Sequence, residues 1–299
     1  MKHSENKSAI GIVAVDKPAG WTSHDVVAKL RRLYHTKQVG HTGTLDPMAT
    51  GLLPVCVGKA TKLVEYIARD RKTYLAKAVS GIRTDTGDTT GIVYAKSDLP
   101  VPDDLAEILA SFVGEQDQIP PMYSALKYKG KKLYEYARMG ICVPRVPRRI
   151  CVYDLECIDG AADAITLRAS VSSGTYIRTL IDDIGVEASC YFTMAGLRRE
   201  SVGKLHVEEA HTLDAIEAMS EAEREALLLP MDRMLGHLPA AEFPASQRLA
   251  LSQGKSFESP YVEEGENTFR VYTDGEFLGL GEVRTKDGRR EFKMKKVLC

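Results

Sequence analysis

Apolar positions along the chain fall into a few short blocks of distinct period. Ile10–Val15 is a continuous apolar run that ends at Asp16-Lys17-Pro18-Ala19-Gly20, which predicts a strand running into a turn. Val26, Val27, Leu30 and Leu33 then recur at helical spacing behind Ser23, a residue type suited to an N-cap. Leu52–Val57 predicts a second buried strand, residues 60–69 a helix, and Thr73–Ile82 a strand carrying Tyr74. Pro102–Val113 reads as a helix with Asp103 and Asp104 favourably placed in its first turn. Ile150–Cys157 and Ala164–Ser172 follow as strands, and Thr175–Ala188 as a helix. Strands and helices do not alternate in regular βαβ units, so the pattern predicts an α+β fold rather than a doubly wound sheet.

The texture changes toward the C-terminus. Acidic helices over residues 213–229 stop at Pro230. After Pro239 come short strands with turn signals at Glu264-Gly265, Asp274-Gly275 and Asp287-Gly288. These suit a small β-barrel of about sixty residues. A chain of 299 residues is long for one domain, so residues 1–236 and 237–299 are expected to be two.

Composition is that of an ordinary globular protein, and no apolar run approaches a membrane span or a secretory h-region. The cysteines are scattered without C-x-x-C spacing, which argues against zinc or a disulfide framework and for a reducing, cytoplasmic setting. The net charge of −1 conceals strong segregation. Lys127, Lys129, Lys131, Lys132, Arg138, Arg145, Arg148 and Arg149 stand against Glu135 alone, whereas residues 208–225 carry seven acids against Arg224 alone. Tyr123, Tyr128, Tyr134 and Tyr136 interleave with the basic residues. Cations beside aromatic faces suit the phosphates and unstacked bases of a nucleic acid.

Candidate chemistry centres on the stretch from Gly40 to Gly51, GHTGTLDPMATG. It holds one carboxylate, Asp46, in a loop of glycines and threonines where Pro47 constrains the backbone and Met48-Ala49 turn the surroundings apolar. An acid so placed is a nucleophile or base, or else the cap of a turn, and the motif alone allows both. Gly58-Lys59-Ala60-Thr61 has the end of a phosphate-binding loop but lacks the upstream glycine spacing. Asp85 and Asp88 sit in a Gly/Thr turn that needs no metal to explain it. No histidine pair has metal-ligand spacing, and no serine sits in a G-x-S-x-G elbow.

These residues carry a resemblance. GHTGTLDPMATGLLPVCVGKATK, residues 40–62, is similar to the central motif of the bacterial tRNA pseudouridine-55 synthases, the TruB family. Asp16-Lys17-Pro18 with Gly20, Arg83-Thr84-Asp85-Thr86, Pro121–Lys127, Gly174–Arg178 and Leu197-Arg198-Arg199 resemble further family motifs, in family order across residues 10–235. The last sixty residues resemble more loosely the PUA-like RNA-binding barrel that ends many members. The resemblance implies a mixed, largely antiparallel sheet flanked by helices and loops. It also implies isomerisation of one uridine in the tRNA T-loop to its C-glycoside. That reaction gains and loses no atoms or electrons overall, so neither cofactor nor metal is expected.

Carried over residue by residue, the resemblance makes Asp46 the catalytic carboxylate, acting on the sugar as nucleophile or as base toward a glycal. Arg178 becomes its ion partner, with Lys17 and Asp85 as supporting residues. Tyr74 would stack on the uracil, Tyr176 and Leu197 would contact it, and His41 would help displace the base from the RNA stack. Residues 120–149 match a thumb-like insertion closing over the T-arm, with Lys127, Lys129, Lys131, Lys132, Arg145 and Arg148 against RNA backbone. Rich in charge and poor in aliphatic side chains, it is expected to be mobile without RNA. A monomer is expected. Two alternatives stay open: the catalytic subunit of a guide-RNA particle, and a non-catalytic RNA-binding or folding module.

Overall fold

A computed structural model describes residues 9–67, 69–161, 163–258, 268–286 and 289–298. Its centre is a mixed sheet that runs His211–Thr212, Gly11–Lys17, Thr50–Val57, Phe192–Val202, Lys72–Ser80, Ala164–Val171, Arg148–Gly160, Gly114–Gln118. The first pair and the pairing of Thr50–Val57 with Phe192–Val202 are parallel, and the other neighbours along this path are antiparallel. The fold is therefore α+β, as the element pattern predicts.

The continuous apolar runs have a direct cause. Side chains alternate between the two faces of a strand. In Gly11–Lys17, Val13 and Val15 enter one core with Val26, Leu30, Leu180 and Ile184, while Ile12 and Ala14 enter another with Met234, Leu235, Leu280 and Leu298. Thr50–Val57 divides in the same way, Leu53 and Val55 from Leu52 and Cys56. Both faces are covered, so neither strand shows polar alternation.

Helix Ser23–Leu33 begins one residue before the expected cap would allow. Thr22 holds the cap, its hydroxyl accepting from Asp25 N while the Asp25 carboxylate accepts from Thr22 N. Ser23 is thereby released to turn inward. The helix expected over 60–69 is instead a 3-10 helix, Gly58–Leu63, followed by one α-turn, Val64–Ile67. Ala60, Leu63 and Tyr66 are buried three residues apart, the spacing of a 3-10 face. The strand expected to reach Ile82 stops at Ser80, where Gly81 takes a positive φ of 89° and opens a hairpin of Ile82–Thr84 with Val93–Lys96. In the insertion, Lys127–Tyr128 and Lys131–Lys132 form a tight hairpin leading into helix Leu133–Arg138.

Beyond Pro239 a second sheet has the order Ala240–Phe243, Phe269–Thr273, Glu276–Lys286, Arg289–Val297, Phe257–Glu258. It surrounds its own core of Phe243, Leu251, Val271, Leu278 and Phe292. Asp274-Gly275 makes the expected turn, with φ of 49° and 73°, the pair of left-handed residues a two-residue hairpin requires. The turns at Glu264-Gly265 and Asp287-Gly288 lie outside the described residues. Leu280 and Leu298 reach across into the core formed with Ile12, Leu52 and Ile67, and the Tyr272 hydroxyl donates to Asp232 at 2.7 Å.

Candidate active site

The Asp46 loop is pinned from behind. The buried Ser23 hydroxyl accepts from Leu45 N at 2.9 Å and donates to Leu45 O at 3.2 Å. Gly20 N donates to Pro47 O at 2.8 Å. Lys17, with no exposed surface, donates to Pro18 O at 2.9 Å, Trp21 O at 2.7 Å and Pro47 O at 3.3 Å. Burial pushes its ammonium down to about 8. Leu45 and Ala49 are buried on either side of the acid. Lys17 therefore acts on the loop backbone and does not line the cavity in front of it.

The Asp46 carboxylate itself faces forward, and it does not cap the turn. Arg178 Nε lies 3.0 Å from Asp46 Oδ2. Arg178 is buried at the start of helix Ile177–Glu187, and its other nitrogens are committed too. Nη1 donates to Thr86 O at 2.8 Å and stands 3.7 Å from Asp88 Oδ2, while Nη2 donates to Tyr123 O at 2.8 Å. The guanidinium fork is thus aimed by two carbonyls before it meets either acid.

Of the two acids in the Arg83–Asp88 segment, Asp88 belongs to this arrangement. Its carboxylate accepts from Thr86 Oγ1 at 2.9 Å and Thr90 N at 3.0 Å. Asp85, the residue expected to support the site, accepts from Ile92 N at 2.7 Å and lines a separate cleft with Arg83, Tyr94 and Asp182. The turn closes through Gly87 N to Thr84 O at 3.2 Å, which sends Asp88 inward and Asp85 outward.

In front of Asp46 is a cavity of about 280 Å³, lined by Tyr74, Tyr123, Tyr176, Arg178 and Leu197, and by Lys72 and Arg199. Its volume is near the lower end for small-molecule pockets. Tyr74 is only 6% exposed. Tyr176 precedes the helix and is clamped by the buried Gln118, whose Oε1 accepts from Tyr176 N at 2.8 Å while Nε2 donates to Tyr176 O at 3.1 Å. Burial raises the Tyr176 phenol above its ordinary value. Arg199 is fully buried, donating through Nε to Leu52 O at 2.7 Å and through Nη2 to Gly43 O at 3.1 Å. Gly51 makes this geometry possible. With φ of 97°, a Cβ there would stand 2.3 Å from Arg199 O.

His41 stands outside this cavity. It ends strand Val39–His41, meets His24 edge-on at 5.6 Å, and is pushed down to about 4 by burial, with His24 and Arg199 adding to the effect. Its Nδ1 is buried without a hydrogen-bond partner. In the basic insertion, Lys127, Lys129, Lys131 and Arg148 are exposed, while Arg145 turns back to donate to Pro120 O at 3.1 Å. Most of its tyrosines are engaged locally. Lys132 and Arg138 lie over the Tyr134 ring, and Tyr128 meets Tyr136 edge-on. Tyr123 alone of the four lines the cavity. Sequence reasoning assigned no role to Asp88, Lys72, Arg199, Gln118 or Ser23 at this site. Neither Lys72 nor Arg199 stands out in the sequence, because their strands carry other charges, Lys77 in one and Arg198 and Glu200 in the other.

Comparison with known proteins identifies the family. Residues 31–177 match the family model for the TruB family pseudouridylate synthase (N terminal domain), and residues 178–236 match that for the tRNA pseudouridylate synthase B C-terminal domain. The tRNA pseudouridine synthase B of Azoarcus sp. (strain BH72) is 44% identical, covering 91% of this chain and 90% of its own. That of Aromatoleum aromaticum is 43% identical, covering 96% and 92%. Among solved structures, a chain of an H/ACA RNP bound to a substrate RNA containing 2′-deoxyuridine superposes with a TM-score of 0.73 at 25% identity, covering 98% of this chain and 86% of its own. A chain of a Cbf5-Nop10-Gar1 complex gives 0.73 at 26%, covering 97% and 85%. With both family models contiguous over 31–236 and relatives this similar along nine-tenths of its length, the chain belongs to the TruB family of pseudouridylate synthases.

Proposed function

We propose that this pseudouridine synthase isomerises uridine 55 in the T-loop of tRNA, with Asp46 as the catalytic carboxylate and a flipped uracil held against Tyr74. The observation that carries the assignment is the Asp46–Arg178 contact of 3.0 Å at the edge of a cavity walled by Tyr74, Tyr176 and Leu197. The guanidinium pairs with one carboxylate oxygen at the mouth of the cavity. The nucleotide must leave its stack to reach Asp46, at a cost of a few kcal/mol. Tyr74 offers a buried aromatic face, so the uracil can turn without escaping once its bond to the sugar has broken. Leu197 supplies apolar wall. His41, outside the cavity, would meet the RNA stack that the base leaves behind.

The exposed lysines of residues 127–131 and Arg148 would meet the phosphates of the T-arm. We assign residues 1–236 to catalysis and 237–299 to a PUA-like RNA-binding module, in a cytoplasmic monomer. Among the described residues no helix is long and apolar enough to cross a membrane. Release of tritium from C5-labelled uridine in a T-arm stem-loop tests the assignment. Wild type should release it, and Asp46→Asn should not while still binding the stem-loop. Unaltered release by Asp46→Asn would sink it.

The solved neighbours, a chain of an H/ACA RNP bound to a substrate RNA and a chain of a Cbf5-Nop10-Gar1 complex, give the second reading a specific basis. The curated relatives named tRNA pseudouridine synthase B are much closer in identity, 43–44% against 25–26%. Activity of the purified chain on a bare tRNA transcript decides between them.

A further inference from the structure

We propose that Lys72, with Arg199 beside it, contacts the departing uracil and balances the negative charge it gains when the bond between N1 and C1′ breaks. The proposal rests on the isomerase reading above and assigns a task that Asp46, Arg178 and Tyr74 leave undone. Lys72 and Tyr74 are two residues apart in strand Lys72–Ser80, so they share a face, with their Cα atoms roughly 6.6 Å apart. Arg199 is the direct cross-strand partner of Tyr74 and lies on that same face. A Cβ on Gly43 would stand 3.5 Å from Lys72 Cε and 3.6 Å from Arg199 Nη1, so the two cations converge beneath the loop that carries Asp46. Both line the cavity. A ring stacked on Tyr74 therefore has cationic groups next to its edge.

The reaction places an anion there by either route. If an Asp46 oxygen bonds to C1′, or if Asp46 takes the proton from C2′ as a C1′–C2′ double bond forms, the electron pair of the C1′–N1 bond departs with the uracil. It spreads over N1, O2 and O4. After the ring turns, C5 bonds to C1′, the C5 proton leaves to solvent and N1 takes one up. Asp46 is released from C1′, or returns its proton to C2′. The leaving group is the same in both schemes, so the need for a cation does not depend on which is followed. Fixed charge aimed at where charge develops, in a site partly closed to water, is an effective form of stabilisation.

Burying a lysine costs free energy, and the cost is visible. Desolvation, with Arg199 adding to it and Asp70 opposing, pushes Lys72 down to about 8. It is still mainly ionised at neutral pH, held by Asp70 O at 2.8 Å. Above about 8 it loses its charge, which supplies a readout that a packing role would not move.

Single-turnover rates with saturating enzyme on a T-arm stem-loop, together with Kd, test the idea in Lys72→Met and Lys72→Arg. Lys72→Met should lower the rate about 10²-fold, the usual cost of losing one such donor, and leave Kd within about threefold. Wild type should lose rate as pH rises through about 8, and Lys72→Arg, whose charge persists, should lack that limb. If Lys72→Met weakens binding but not rate, the cation serves a phosphate and the proposal fails. A limb unchanged in Lys72→Arg also refutes it, and needs no charge-deleted variant to fold. If wild type forms no pseudouridine, the isomerase reading itself falls. If wild type is active and Lys72→Met matches its rate, only this inference falls.

Discussion

Ser23→Ala separates the support of the catalytic loop from the capping of the helix that provides it. The Ser23 hydroxyl is 1% exposed and satisfies both backbone groups of Leu45, itself 3% exposed. Removing it leaves a buried N–H without its 2.9 Å acceptor and a buried carbonyl without its 3.2 Å donor. An unsatisfied buried group costs about 1–3 kcal/mol, and a carbonyl is generally less costly than an N–H, so the loss should be about 2–4 kcal/mol. That corresponds to a fall in Tm of roughly 3–6 °C for a protein of this size. Leu45 also precedes Asp46, and a misplacement of about 1 Å in a catalytic group costs about 10²-fold in rate. The neighbouring variant Thr22→Ala is the control. It removes an exposed cap worth about 1 kcal/mol and touches nothing in the loop. Thermal unfolding and single-turnover tritium release at 25 °C should show Thr22→Ala slightly destabilised with full rate, and Ser23→Ala deficient in both. A Ser23→Ala protein with lowered Tm and wild-type rate would refute the idea that this hydroxyl positions Asp46.

Four further outcomes are expected. Arg178→Lys keeps the charge but cannot reach Asp46, Thr86 O and Tyr123 O together, so single-turnover rate should fall by at least about 10²-fold; a loss below tenfold would show that charge alone suffices. His41 is depressed from 6.5 to about 4, so below about 6.5 the unfolded chain takes up a proton that the folded chain refuses. Stability should therefore fall between pH 6.5 and 4, and His41→Asn should lessen that fall in urea midpoints taken at pH 7 and 5. Replacing Lys127, Lys129 and Lys131 by alanine should weaken T-arm binding and flatten its dependence on log salt by roughly 0.7–0.9 for each phosphate that is no longer neutralised. Rate at saturating enzyme should hold. Limited proteolysis without RNA should cut first in residues 120–149, and T-arm RNA should protect them.

The strands that carry the site were legible because they are buried on both faces. Ile10–Val15 and Leu52–Val57 have no polar alternation to confuse, and turn residues bound them. Boundaries failed where a single backbone choice decides the outcome: Gly81 ending a strand, Thr22 taking the cap from Ser23, a 3-10 face replacing an α face after Gly58. At the site, Asp46 announced itself by its loop, and the family likeness brought Arg178, Tyr74, Tyr176 and Leu197 to it. The cavity collects all five. Which acid of the Asp85–Asp88 turn faces Arg178 depends on how that turn closes, and periodicity carries no such information. Lys72 and Arg199 are hidden for a related reason. A charge within a strand reads as solvent-facing unless the register of the neighbouring strand is known, and here that register turns both into the cavity.

The charge arrangement around Asp46 bears on what the site stabilises. A guanidinium shared between Asp46 and Asp88 faces two acids with one positive charge and does not neutralise the pair completely. If that were the whole inventory, a base leaving with its bonding electrons would meet net negative charge, and repulsion between like charges a few ångströms apart is strong in a partly closed site. Lys72 and Arg199 reverse the sign on the Tyr74 side of the cavity. On the proposed reaction the arrangement therefore runs from a negative edge, where Asp46 would meet the sugar, to a positive floor, where the base would dwell while it turns. A polarity of that kind does little for bound uridine, which is neutral, and most for the separated state, and this is the difference on which catalysis depends.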